Sequence, residues 1–206
     1  MLRSITVRSI HSGNDLLKVL EEAGAVQNGH FHLSSGYHSS TYVQCAKALQ
    51  NPKIAEDIAF FLAQKAIIIP FMPFAVEYVV SPAMGGLIIG HEIARQLGCK
   101  FIFTERIDGE MKLRRGFELP SRARVIIVED VVTTGKSTME VIEVCKEAGA
   151  NILGVVSIIN RATNELSFGI PYIYGTNVVA STYNPVLQYC PMCEAREVLV
   201  KPGSRR

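Results

Sequence analysis

The sequence predicts an α/β fold: a mostly parallel central sheet flanked by helices, with a small hood built from the N-terminal region and the tail. Three observations predict it. Residues 78–81, 101–103, 125–128 and 153–159 are apolar at successive positions, as strands buried on both faces of a parallel sheet are. Between them, residues 87–97 and 137–148 place apolar side chains three and four apart and stop at Gly98 and Gly149, residues that close a helix in a left-handed conformation. The repeating unit is strand, helix, strand, which packs with right-handed crossovers. Towards both ends of the chain this alternation breaks down.

In chain order, residues 15–23 read as a helix stopped near Gly24, and 31–45, rich in Ser, Gly and Tyr, as strands joined by turns. A longer helix covers 52–66, started by Asn51 with Pro52 at its first position, where the missing N–H costs nothing. The polar, charged stretch 104–117 reads as a long loop. Residues 170–179 are β-rich, and the tail begins at Gln188. The core spans about residues 50–165 of a single 1–206 domain, and the hood takes about 1–45 and 170–206. There is no internal repeat and no low-complexity linker.

A chain of 206 residues, 48% of them hydrophobic, can bury a full core as one domain. Its 21 basic and 19 acidic residues leave a net charge of +2, too balanced for a nucleic-acid or membrane-surface binder. The five cysteines are odd in number and scattered, and no apolar stretch with a cleavage site opens the chain. A reducing cytoplasm is expected. The longest apolar stretches, such as 66–76 with its two prolines, fall short of the roughly 20 residues that span a bilayer.

The chemistry concentrates in Arg124-Val-Ile-Ile-Val-Glu-Asp-Val-Val-Thr-Thr-Gly-Lys-Ser-Thr138, an apolar strand that runs through two acids into a small polar turn and a helix. Thr133, Thr134, Gly135, Lys136 and Ser137 supply hydroxyls and backbone N–H groups at a helix N-terminus, which suits a phosphate. Glu129 and Asp130 would repel that phosphate, so they call for ribose hydroxyls, which donate hydrogen bonds to carboxylates. Acids and phosphate turn together describe a phosphorylated ribose. The Gly-Lys-Ser ending mimics a P-loop, but that motif needs glycine where Asp130 stands.

This string closely resembles the phosphoribosyl pyrophosphate motif of type I phosphoribosyltransferases. The resemblance implies an α/β core with a hood, phosphoribosyl pyrophosphate bound with Mg2+, and displacement of pyrophosphate by a base nitrogen. It implies that Glu129 and Asp130 hold the ribose 2′ and 3′ hydroxyls. Val131 and Val132 then lead into the 5′-phosphate turn from Thr133 to Ser137, and no direct side-chain ligand to the metal is expected.

Ser81-Pro-Ala-Met-Gly-Gly86 offers a second small-residue turn between a strand and a helix, where an anion can sit. In the family pyrophosphate is gripped there, by a loop often of unusual backbone conformation, which makes Ala83, Met84, Gly85 and Gly86 binding residues. The stretch 104–117 reads either as a lid or as a solvated, salt-bridged hairpin. As a lid, it would bring Arg106, Lys112, Arg114 and Arg115 over the pyrophosphate, where cations stabilise the departing charge. With Asp130, these are the candidate catalytic residues.

Two further stretches are similar to the orotate branch of the family: Gly29-His-Phe-His-Leu-Ser-Ser-Gly36, and Ile159-Asn-Arg161 at a strand end. Orotate is a planar anion, and a guanidinium grips such an edge in bidentate fashion, so Arg161 is its candidate partner. Thr133 lies near the base by resemblance. Ser34, the third candidate for the orotate site by resemblance, stands where many orotate enzymes carry lysine, and Leu113-Arg-Arg-Gly116 replaces a Lys-Asp-His-Gly string. The loop fits a divergent bacterial or archaeal branch. The resemblance also implies a homodimer whose loop reaches the neighbouring site. Two alternatives remain: a purine or xanthine acceptor, and a regulator that keeps the sugar-phosphate site but binds nucleic acid.

His30, His32 and His38 lack a carboxylate set that would make them a metal motif. Cys190-Pro-Met-Cys193 is half of a zinc site, and would need a second pair from Cys45, Cys99, Cys145 or another subunit. A tail turn with two buried thiols is the expectation, with zinc and a disulfide as the other roles.

Overall fold

In the computed structural model, residues 10–33, 35–67, 76–186 and 189–202 are described; Ser34, Gln188 and residues 68–75 of the long apolar stretch lie outside them. The chain begins with α1 (Gly13–Glu22), the hairpin β1 (Val26–His32) and β2 (His38–Val43), α2 (Ala46–Leu49) and α3 (Pro52–Ile67). The centre holds β3 (Tyr78–Pro82), α4 (Gly86–Leu97), β4 (Lys100–Ile107), β5 (Glu110–Leu113), β6 (Arg124–Val132), α5 (Lys136–Glu147) and β7 (Asn151–Asn160). Then come β8 (Tyr172–Asn177), β9 (Thr182–Tyr183), α6 (Pro191–Glu194) and β10 (Leu199–Val200).

The apolar runs pair into a six-stranded sheet of order β5-β4-β3-β6-β7-β8. Every pairing is parallel except that of edge strand β5 with β4. Alternation along the central strands builds two cores. From β6, Ile126 and Val128 face the cluster that holds α1, α3 and α4, while Val125 and Ile127 face Val141, Ile142 and Cys145 of α5. All four strand residues are fully buried, each worth about 1.5–3 kcal/mol of hydrophobic transfer. This two-sided burial is why the strands read as continuous apolar runs. Among the described residues no helix is long and apolar enough to cross a membrane.

The second sheet is the hood, ordered β10-β1-β2-β9. It joins the β1–β2 hairpin to pieces of the tail: β10 lies parallel to β1, and β9 antiparallel to β2. The division of the chain differs from the expected one, because α1 and β8 belong with the core. β8 pairs with β7 from Val155↔Tyr172 to Asn160↔Asn177, and Leu16 and Leu20 of α1 are buried in one cluster with Ile58 and Leu62 of α3. Gly175 of β8 permits this approach: a side chain there would lie 3.1 Å from Leu62 Cδ2 and 2.8 Å from the Ile158 carbonyl oxygen.

Two local expectations are corrected. The stretch 104–117 is no open loop: β4 continues to Ile107, turns at Asp108 (φ 51°) and Gly109 (φ 86°), and returns as β5. An Asp-Gly pair with both φ positive makes the two-residue turn whose twist matches a hairpin; the density of charge hid the alternation. In the tail, Cys190 is buried but Cys193 is exposed. Cys45 and Cys145 are buried in the two separate core clusters. What faces the Cys190–Cys193 turn is the hood, through His30 and His38.

Candidate active site

Parallel sheets bind ligands beyond the carboxyl ends of their strands, where successive crossovers leave in opposite directions. Here that point lies between β3 and β6, since the chain passes from β3 outward to β4 and β5 and then returns to the other side of β3 as β6. The chain beyond β3 is the loop 83–86, and the chain beyond β6 is the turn 133–137. The sheet thus brings the two predicted binding turns together.

Both turns run into helices well suited to anions. α4 begins after Gly85 and α5 after Gly135; neither helix has a side-chain cap or an acid in its first turn. The first-turn N–H groups of a helix have no intrahelical acceptor and carry the positive end of its dipole, so both ends remain available to a phosphate. Gly135 takes φ 75° and ψ 2°, and a side chain there would meet the Phe168 ring at 2.9 Å. Thr134 Oγ1 accepts from Lys136 N at 3.4 Å, while Thr133, Thr134 and Lys136 are exposed and Ser137 half-buried. The Ala83–Met84 peptide bond is cis, in the loop where an unusual backbone was expected.

Glu129 and Asp130 remain within β6. Glu129 Oε1 accepts from Asp130 N at 3.2 Å, and Asp130 Oδ1 accepts from Val131 N at 2.8 Å. Gly85 closes against this pair, because a side chain there would stand 2.7 Å from Asp130 Cγ. Glu129 is 7% exposed; burial, then the neighbouring Asp130 charge, raises its carboxyl above the usual range. Burial also raises Asp130. Two adjacent acids held from water are costly unless something donates to them or neutralises them; a sugar's hydroxyls are groups that can do the former.

Arg161 follows β7, and its backbone N donates to the Val132 carbonyl oxygen at 2.7 Å, which fixes it beside the end of β6. Its side chain is half-buried, and burial lowers its pKa. Among the described residues no carboxylate pairs with it. Sequence reasoning missed five neighbours. Phe168 and Leu166 wall the turn at Gly135. Ser157, in register with Glu129, shares a hydrogen bond of 2.9 Å with the Tyr172 hydroxyl. Cys45 is a buried thiol raised by burial and by the charges of Asp130 and Glu129; a lone cysteine gave no signal.

Among the described residues none of the predicted loop cations forms an ion pair with Glu129 or Asp130. Arg106 pairs with Glu140 of α5, with Nη1 to Oε1 at 3.0 Å, and donates to the Gly109 carbonyl at 2.8 Å. Arg115 pairs with Glu105 at 2.8 Å and Lys112 with Glu110 at 2.6 Å. Arg114 is exposed. Exposed pairs of this kind hold by only about 0–1 kcal/mol each.

A doubly wound sheet with two uncapped helix ends around a buried acid pair defines a protein that holds a phosphorylated pentose. Residues 46–168 match the phosphoribosyl transferase domain family. The chain is 43% identical over 191 residues to the orotate phosphoribosyltransferase of Caldanaerobacter subterraneus subsp. tengcongensis, covering 93% of this chain and 97% of that one. It is 44% identical to that of Thermotoga maritima, covering 91% and 97%. The crystal structure of the Aeropyrum pernix orotate phosphoribosyltransferase superposes with a TM-score of 0.62 at 27% identity, over 79% of this chain and 93% of that one. This chain belongs to the orotate phosphoribosyltransferase family.

Proposed function

We propose that this chain transfers ribose 5-phosphate from phosphoribosyl pyrophosphate to orotate, yielding orotidine 5′-monophosphate and pyrophosphate in pyrimidine biosynthesis. Family membership supports the reaction. The observation that carries the acceptor is Arg161: a half-buried guanidinium, without a carboxylate partner among the described residues, beside the ribose acids. A planar anion restores the charge balance that burial disturbs.

In this reading, Glu129 and Asp130 accept from the ribose hydroxyls and the first turn of α5 holds the 5′-phosphate. Ala83 to Gly86 and the first turn of α4 hold pyrophosphate. Thr133 and Arg161 orient orotate so that its N1 faces ribose C1. As the bond to pyrophosphate lengthens, positive charge grows on the ring beside the acids, and negative charge grows on the leaving group. Arg106, Lys112, Arg114 and Arg115, carried on the β4–β5 hairpin, then close over the pyrophosphate. Positioning and charge lower the barrier, with no covalent nucleophile.

Magnesium fits a site whose buried acid pair, Glu129 and Asp130, is costly to leave uncompensated; it keeps its waters and substrate phosphates as ligands, so it would enter with the substrate beside these two residues, without a direct side-chain ligand. When bound with phosphoribosyl pyrophosphate, it supplies charge neutralisation of the leaving group. The active assembly in this proposal is a homodimer, each hairpin serving the neighbouring site.

The test follows loss of orotate absorbance with phosphoribosyl pyrophosphate and magnesium, with adenine, hypoxanthine and xanthine as competing acceptors and Asp130→Asn as control. Turnover of orotate alone, lost in the variant, is expected. Reaction with a purine but not with orotate would overturn the acceptor.

A further inference from the structure

The hood and the tail meet in a cluster that the transfer reaction does not use. We propose that His30 of β1, His38 of β2, Cys190 and Cys193 hold a structural zinc ion that ties the C-terminal tail to the hood. Their four ligand atoms lie within 4.8 Å of one another, and His30, His38 and Cys190 are buried. Cys193 Sγ lies 3.2 Å from His38 Nδ1 and 3.6 Å from His30 Nε2, and Cys190 Sγ lies 3.7 Å from His30 Nε2. A tetrahedral zinc with bonds of about 2.0–2.1 Å to nitrogen and about 2.3 Å to sulfur requires sulfur-to-nitrogen separations of about 3.5–3.6 Å. The two imidazole nitrogens, 2.9 Å apart, would separate to about 3.3 Å, and the widest pair, up to 4.8 Å apart, would draw in by about 1 Å, to complete that tetrahedron.

The hydrogen bonding around the cluster favours a cation at its centre. His30 Nδ1 lies 3.1 Å from the Glu197 carbonyl oxygen. That oxygen can only accept, so Nδ1 carries the proton and Nε2 presents a bare lone pair. Metal-bound histidines are held in this way, with the far ring nitrogen donating to a carbonyl. Toward that lone pair converge His38 Nδ1 and both sulfurs. One lone pair satisfies one donor, whereas an ion at the shared centre satisfies all four atoms.

Charge and backbone agree with this assignment. Two thiolates and two neutral imidazoles balance a divalent ion, so that a largely buried site carries no net charge. The turn at 190–194 has Cys193 N donating to the Cys190 carbonyl at 3.1 Å and puts both sulfurs on one side. The elements it fastens are too short to hold themselves: α6 is 4 residues long and β10 is 2. Short helices and strands of that size depend on tertiary anchors. A link from β2 to residue 190 closes a loop of about 150 residues, the kind of closure that contributes most to stability. With four protein ligands and no open position, the ion is structural, and two sulfurs with two nitrogens in a tetrahedron select zinc over magnesium.

The test uses the full-length chain without a histidine tag, expressed with added zinc and dialysed against metal-free buffer containing reductant. Metal analysis is expected to give one zinc per chain. Substitution with cobalt should give the visible bands of a tetrahedral site together with thiolate-to-metal charge transfer. Cys193→Ser and His38→Ala should each lose the metal, while Cys99→Ser, outside the cluster, keeps it. Circular dichroism shows which variants fold, and the cobalt spectrum of the wild-type chain decides the matter if a variant does not. A chain free of zinc, with Cys190 and Cys193 titrating as thiols or joined as a disulfide, would overturn the proposal. So would zinc that survives both substitutions.

Discussion

Glu129 and Arg161 stand in opposite electrostatic positions, an acid and a base each kept from water without an opposite charge paired to it among the described residues. For Glu129 the consequence is a pH dependence. Its pKa is raised in the folded chain, so the folded state keeps a proton that the unfolded state has released. Stability is therefore greatest at or below the ordinary carboxylate range and falls as pH rises through the raised value, by up to about 1.4 kcal/mol per pH unit. Glu129→Gln should flatten that decline, seen as a smaller drop in Tm as pH rises from the ordinary carboxylate range to about 9, while raising KM for phosphoribosyl pyrophosphate. Arg161→Ala should raise KM for orotate about 10- to 100-fold, the loss of a charge-assisted contact of about 1.5–3 kcal/mol, and Arg161→Lys should recover little because the planar fork is lost. Steady-state kinetics with each substrate varied separates the two effects. Both side chains were legible in the sequence as types in a pattern. Their lack of a paired counter-charge among the described residues was not, since it depends on what the fold places around them.

The elements that carry the site differ in how they announce themselves. The turn into α5 needs Gly135 at φ 75° with Phe168 beside it. Gly135→Ala is expected to cost about 1–2 kcal/mol in urea unfolding and to weaken phosphoribosyl pyrophosphate binding as the N–H groups shift. Glycine in that turn was readable from composition, but Phe168 as its wall was not, because 33 positions separate them. The β4–β5 hairpin shows the reverse case. Its charges are spread over both faces, so the alternation of a strand is masked, and only Asp108-Gly109 signals the turn. Its ion pairs are exposed, so Arg106→Ala should change the unfolding free energy by less than about 1 kcal/mol. The same substitution should reduce kcat at least tenfold if the hairpin closes over pyrophosphate. A stability loss without a kcat effect would assign Arg106 to the surface pair with Glu140 alone.

At the scale of the whole molecule, the proposed dimer makes a prediction that neither site residue alone can. Arg106→Ala and Asp130→Asn, each strongly impaired by itself, should regain about a quarter of wild-type activity when unfolded and refolded together, since random pairing leaves half of the dimers with one intact site each. If every hairpin serves its own subunit, mixing restores nothing.

The α/β class, the parallel strands, the acid pair and the two strand-to-helix turns at 83–86 and 133–137 were determined by sequence alone, because each is a local pattern: apolar runs, helical spacing, and small residues at a strand end. Tertiary structure decided what depends on residues far apart in the chain. It assigned β8 and α1 to the core through the pairing with β7 and the contact at Gly175. It set Arg161 beside β6 through one backbone hydrogen bond. It also carried Cys190 and Cys193 to histidines 160 and 155 positions away. Half a zinc motif is visible in a line of sequence; its other half is found only where β1 and β2 meet the tail, since ligands are chosen by distance in space and not along the chain.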